Sequence, residues 1–156
     1  MNMEKLQVVI KLINGLRFPE TVNECSLALS KISQNIRNFQ YFVYIIQNNF
    51  DPYLVSASFH ILRSGITKFS VEFPQNFFIS LFKVLLNIYF KTTDFSTIRL
   101  FKSIFLSLYN YKPPYSLSDL FTKYCGAFRE VNPLATFILI HIFSKREDLN
   151  EFGNLM

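Results

Sequence analysis

The chain has 156 residues, of which half are hydrophobic and 17% are charged, and its net charge is +5. This length is that of one domain with a substantial core, and the apolar content excludes a disordered chain. The densest apolar runs, at 41–46 and 137–143, are shorter than the roughly 20 residues of a membrane span, and the N-terminus lacks the pattern of a secretory signal.

The hydrophobic periodicity is helical along nearly the whole chain, and regularly spaced turn signals separate the helices. Strict alternation over the length of a strand is hard to find. In chain order, the predicted helices cover about 3–16, 19–36, 39–47, 51–69, 74–90, 94–111, a segment that opens at 116, and, after Asn132-Pro133, 134–143. The sequence therefore predicts an all-α protein.

The fourth predicted helix has an unusually wide apolar face. Asp51 is expected to cap it and Pro52 suits the first helical position. The apolar and small residues of this face recur at spacings of three and four: Leu54, Val55, Ser58, Phe59, Ile61, Leu62, Gly65 and Ile66. A face this wide predicts that the helix packs against neighbours on two or three sides.

The predicted helices fall into pairs that begin at steps of about 35 to 42 residues, which is typical of an α-solenoid. The four hairpins cover about 3–36, 38–69, 74–111 and 116–146, and 147–156 forms a tail. Because the chain has no Trp, a tetratricopeptide array is disfavoured. We expect one domain, a right-handed α-solenoid of about four HEAT-like hairpins.

Several segments resemble the N-terminal region of the importin-beta/exportin family of nuclear transport receptors. The stretch 5-KLQVVIKLINGL-16 is similar to the family's first helix, and 20-ETVNECSLALSKI-32 is similar to its second. Residues 41–69 resemble the third and fourth helices, with Ala57, Leu62 and Ile66 at the family's positions. The next repeat, over 74–111, looks most like the exportin branch. The resemblance covers about 3–111 and implies a HEAT-repeat fold.

The chain also departs from that family pattern. Tyr53-Leu54-Val55 stands where the family has an Arg before a pair of small residues, and no Trp follows the fourth helix. Family members carry many more repeats than the four predicted here. We therefore expect a fragment of a longer receptor, a reduced relative, or an unrelated helical-repeat protein.

The second helix of each pair carries two basic residues, and second helices line the concave face of such solenoids. The candidate partner-binding residues are Lys31, Arg37, Arg63, Lys68, Arg99, Lys102, Lys145 and Arg146. In the family, inner helices of the first repeats bind the small GTPase Ran in its GTP form, so the resemblance implies that role here. Two other interpretations stay open, namely solvated cations that complement helix C-termini and a stripe that follows a nucleic-acid backbone.

The sequence contains no catalytic or metal-binding motif. His60 and His141 each lie alone among apolar residues, which favours a packing role. Cys25 and Cys125 form no CxxC motif and indicate reduced thiols in a cytosolic or nuclear protein. No glycine-rich phosphate loop is present. We therefore expect a protein that is not an enzyme, has no cofactor and does not span a membrane.

The leading functional hypothesis is a transport-receptor-like module of the cytoplasm and nucleus that contacts Ran-GTP and cargo. The alternative is a non-catalytic HEAT-like scaffold subunit of a larger assembly, for which a ribonucleoprotein is the natural host of a basic chain. The eighth predicted helix is apolar nearly all round. We therefore expect this end to be covered by more of the same chain, by another subunit or by self-association.

Overall fold

A computed structural model describes residues 1–48, 51–69, 74–92, 95–110, 126, 129–130 and 132–143. These residues form helices joined by turns, with no strand among them, so the all-α prediction is confirmed for the part described. The chain divides into two compact units, Met1–Phe73 and Pro74–Met156. The boundary falls between the second and third predicted hairpins.

The described residues of the N-terminal unit form four α-helices and one 3-10 turn. They are α1 (Met3–Gly15), α2 (Val22–Ser33), the 3-10 turn (Ile36–Asn38), α3 (Phe39–Gln47) and α4 (Pro52–Phe69). Helix α1 begins where the Asn2 side chain accepts hydrogen bonds from the backbone N–H groups of Glu4 and Lys5. Leu6, Val9 and Ile13 are its buried residues, at the spacing of one helical face.

Helix α2 is shorter than the sequence predicted, since it begins at Val22 and ends at Ser33. Two asparagine side chains after its last turn explain why the helix ends at Ser33. The Asn35 carboxamide accepts a hydrogen bond from the Arg37 backbone N–H, and Asn38 Nδ2 donates to the carbonyl of Ile32 at 2.8 Å. These bonds satisfy backbone groups that a continuing helix would have paired, so the chain turns towards α3.

Helix α4 has the wide buried face that the sequence predicted. Its first turn is capped by Asp51, whose Oδ1 accepts from the backbone N–H groups of Tyr53 and Leu54. Its buried residues are Leu54, Val55, Ser58, Phe59, Leu62, Gly65 and Ile66. The helix contacts α1, α2 and α3, which confirms the expectation of neighbours on several sides.

The C-terminal unit contains α5 (Gln75–Lys91), α6 (Phe95–Asn110) and α7 (Pro133–Phe143). Its core is aromatic around Tyr89, whose ring makes edge contacts with Phe101 and Phe105 at centroid distances of 5.4 and 5.3 Å. The Tyr89 hydroxyl donates to the carbonyl of Ala135 on α7 at 2.6 Å. Buried rings of α5 and α6 and a backbone carbonyl of α7 therefore meet at one tyrosine.

Asn132 fixes the start of α7. Its Oδ1 accepts from the Ala135 backbone N–H, while its Nδ2 donates to the carbonyls of Phe90 and Thr92. One side chain thus caps α7 and also holds it to the end of α5. The seventh predicted helix, which opens at Ser116, lies outside the described residues except for Gly126, which is helical.

Candidate partner-binding surface

Contacts within the N-terminal unit show which helix ends lie together. The Lys5 ammonium lies 5.7 Å from the ring centroid of Tyr41, which joins the start of α1 to the start of α3. Gly65, in the last turns of α4, packs directly against the ring of Phe39, the first residue of α3. The start of α1, the connection at 34–38, the start of α3 and the end of α4 therefore share one end of the unit.

Five exposed cationic residues lie at this end, which we call the basic end: Lys5, Lys31, Arg37, Arg63 and Lys68. Lys31 is in the last turn of α2, and Lys68 is in the last turn of α4. Among the described residues, Glu4 is the one carboxylate at the basic end. Four of the eight residues predicted from the sequence are thus brought to one end of the unit.

The four predicted cations do not form one straight row along a helix groove. Lys68 follows Gly65 by three residues, so it lies on the side of α4 that faces Phe39, and Arg37 precedes Phe39 by two residues. Arg63 lies five residues before Lys68, which places it on another side of α4. The basic end is therefore a patch that spans several helix ends. A single stripe would require the cations to lie on matching sides of their helices.

The opposite end of the unit has a different charge pattern. Arg17 Nη2 lies 3.2 Å from Asp51 Oδ1, and the Arg17 guanidinium stacks 4.0 Å from the ring centroid of Tyr53. Because both charged side chains are about half exposed, this pair adds little stability, but it joins the α1–α2 turn to the start of α4. The exposed Glu20 and Glu24 lie at the same end.

The remaining predicted site residues are distributed as follows. Arg99 and Lys102 are exposed and lie three residues apart on one face of α6, in the C-terminal unit. Lys145 and Arg146 lie outside the described residues. The prediction that Arg37 lies on a second helix is wrong, because α2 ends at Ser33 and the 3-10 turn carries Arg37.

The sequence analysis missed one cation of the basic end and the ion pair at the opposite end. Lys5 was not among the candidates, because it belongs to the first helix of its pair. The alternation of helix direction could have found it, since the start of a first helix lies beside the end of a second helix in an antiparallel array. The ion pair between Arg17 and Asp51 joins residues 34 positions apart, and no local sequence pattern predicts it.

The described residues offer no evident site for catalysis. No group of three or more His, Cys, Asp or Glu side chains among them could hold a metal ion. The predicted packing role of His60 is wrong, because its side chain is exposed on α4, whereas His141 lies outside the residues whose side chains are described. The Cys25 thiol is buried and packs against Gly15.

Apolar side chains are also exposed, in both units. Leu27 on α2, Val84 on α5 and Leu134 on α7 are 61%, 43% and 53% exposed. Large apolar side chains at such exposure are candidates for contact with another protein. None of the described helices is long and apolar enough to cross a membrane.

Comparisons with known proteins identify no relative. The sequence matches no family model and no curated protein, and the structure matches no solved structure. The basic end and the exposed apolar residues are therefore interpreted from their own chemistry.

Proposed function

We propose that this chain is a non-catalytic protein-binding module whose partner is a Ran-type small GTPase in its GTP-bound form. The observation that carries the binding role is the basic end, where five exposed cations lie beside one carboxylate among the described residues. The resemblance of residues 3–111 to transport receptors is the sole support for the identity of the partner. A role with cargo in the cytoplasm and nucleus belongs to the same proposal.

We further propose that the helices continue as a right-handed solenoid of about four HEAT-like hairpins within one domain. The support is local, because α1 packs on α2 and α3 packs on α4 as antiparallel neighbours. Small-angle scattering of the whole chain tests the architecture. A scattering curve that fits a stacked array of hairpins supports it, and one that requires two independently oriented bodies contradicts it.

The partner is tested by titrating the chain against Ran loaded with a non-hydrolysable GTP analogue and, in parallel, with GDP. We expect selective binding of the GTP form. The double variant Arg63→Glu/Arg99→Glu should weaken that binding about tenfold or more, because like charges then replace complementary ones. The matched control Lys11→Glu/Lys91→Glu changes the net charge equally and should bind like the wild type. Equal binding of both nucleotide forms, or none, removes Ran as the partner.

A second candidate function is a scaffold subunit of a larger assembly, with a ribonucleoprotein as one host. The exposed apolar side chains of Leu27, Val84 and Leu134 favour it, since fixed subunits bury such residues against their neighbours. This function predicts that the chain co-sediments with a large particle whatever the nucleotide state of a GTPase. Recovery of the chain only in small, nucleotide-dependent complexes contradicts it.

A further inference from the structure

The basic end has a charge pattern that helix-dipole compensation does not explain. Lysines at the C-terminal end of a helix are commonly solvated charges that complement the macrodipole, which accounts for Lys31 and Lys68. Lys5, however, lies in the first turn of α1, where the dipole disfavours a cation, and Arg37 lies in a 3-10 turn. The helix dipole therefore accounts for neither cation; Lys5 lies over the ring of Tyr41, and Arg37 adds its charge to the same end.

The helix dipoles at the basic end largely cancel one another. The N-terminal ends of α1 and α3 lie beside the C-terminal ends of α2 and α4, so partial charges of opposite sign alternate across the patch. The field there is therefore set by the side chains. Neighbouring packed helices are about 8–10 Å apart, which is close to the Debye length at physiological ionic strength, so these cations act together on one bound anion.

The neutral side chains around these cations indicate the kind of anion. Those exposed at the basic end include the amides and hydroxyls of Gln34, Asn35, Gln40, Ser64 and Thr67, together with the apolar Met1 and Met3 at the start of α1. The nearby aromatic rings of Phe39 and Tyr41 are buried, at 1% and 4% exposure, so they offer no platform for stacked bases. Amides and hydroxyls suit the alternating donors and acceptors of a polypeptide backbone, and the cations suit its carboxylates.

We propose that the basic end docks an acidic, Asp- and Glu-rich segment of a partner protein. This inference rests on the protein-binding function proposed above, but it is independent of the identity of the partner. The segment lies across the ends of α1, α2, α3 and α4, where Lys31, Arg37 and Lys68 supply the main charge. The opposite end of the unit, which carries Glu20 and Glu24, repels the same segment.

The test uses the full chain and a fluorescent 20-residue peptide of alternating Glu and Ser, read by anisotropy at low and physiological salt. We expect binding that weakens as salt rises. The variant Lys31→Glu/Arg37→Glu/Lys68→Glu should bind the peptide at least about tenfold more weakly. The control Lys11→Glu/Lys83→Glu/Lys91→Glu has the same net charge and should stay within about twofold of wild type, because it leaves all five cations of the basic end unchanged.

Several results overturn the proposal. One is an equal loss in the two triple variants, which shows that net charge alone drives binding. Another is tighter binding of a single-stranded oligonucleotide with the same number of charges, which assigns the surface to nucleic acid. Absence of peptide binding at low salt also refutes it. Far-UV circular dichroism checks the fold of each variant, and the milder Lys31→Gln/Arg37→Gln/Lys68→Gln variant replaces any that unfolds, with the same outcomes expected.

The Ran titration separates this inference from the proposed partner. If the GTP form of Ran binds but the acidic peptide does not, the acidic-segment proposal fails while the receptor function stands. If Ran does not bind but the peptide binds and is lost with the basic-end variant, the partner identity fails while the docking surface stands.

Discussion

Replacing Gly65 by alanine tests how closely α3 and α4 approach each other. A Cβ atom at residue 65 would lie 2.8 Å from Cζ and 3.1 Å from Cε1 of Phe39. Unstrained carbon atoms pack about 3.5–4.0 Å apart, so the ring would have to move by about 0.7 Å or more. Because Phe39 is only 1% exposed, its neighbours must move as well.

Two opposing terms set the size of this effect. Overpacking a core costs about 1–3 kcal/mol, whereas replacing glycine by alanine inside a helix gains up to about 1 kcal/mol. We expect Gly65→Ala to lower the free energy of unfolding by about 1 kcal/mol. Urea denaturation followed by far-UV circular dichroism measures the change, since the chain has no Trp to report by fluorescence.

A double-mutant cycle with Phe39→Leu tests whether contact with the Phe39 ring causes this loss of stability. In the Phe39→Leu background the ring is gone, so Gly65→Ala should become stabilising, with a coupling energy of about 1–3 kcal/mol. The exposed neighbour Ser64 provides the control, because Ser64→Ala should have the same small effect in both backgrounds. If Gly65→Ala stabilises the wild type, or acts equally in both backgrounds, the close contact with Phe39 does not explain the glycine.

Three further substitutions have expected outcomes in the same urea assay. Asp51→Ala should lower the free energy of unfolding by about 1–2 kcal/mol, because it removes the α4 cap. Asp51→Asn keeps the cap, loses only the exposed pair with Arg17 and should cost less than about 1 kcal/mol. Equal costs would contradict the capping role. Ser58→Ala should raise stability by about 1 kcal/mol, because the Ser58 hydroxyl is fully buried with no hydrogen-bond partner; a loss would show that the hydroxyl is satisfied. Tyr89→Phe should cost about 1 kcal/mol, because it removes the buried hydrogen bond from the Tyr89 hydroxyl to the carbonyl of Ala135, and an unchanged midpoint would show that this bond is dispensable.

Helix positions were largely predictable because their signals are local. Asp51 and Pro52 begin α4 as predicted, and Asn132 begins α7, since a capping side chain and a fixed proline φ act within one turn. The predicted extension of α2 to Ile36 failed because two asparagine side chains compete there with the helix backbone. Apolar periodicity alone does not reveal that competition.

Side-chain exposure within a helix was harder to predict from sequence neighbours. His60 lies between Phe59 and Ile61 in sequence, yet each neighbour is rotated by about 100° around the helix axis. Phe59 is buried, and His60 is exposed. The apolar face of α4 was correct because it was read at spacings of three and four, which correspond to one side of a helix.

The sequence alone determined that this protein is helical, where most of its described helices begin, and that α4 needs several neighbours, since these follow from caps, prolines and periodicity. Only the tertiary structure decided that Lys5 joins Lys31, Arg37, Arg63 and Lys68 at one end, because that depends on how antiparallel helices place distant residues side by side. It also decided why residue 65 is glycine. The physical reason is the same in both cases: caps and periodicity act within a few residues, whereas charge clustering and close packing depend on contacts between residues far apart in the chain.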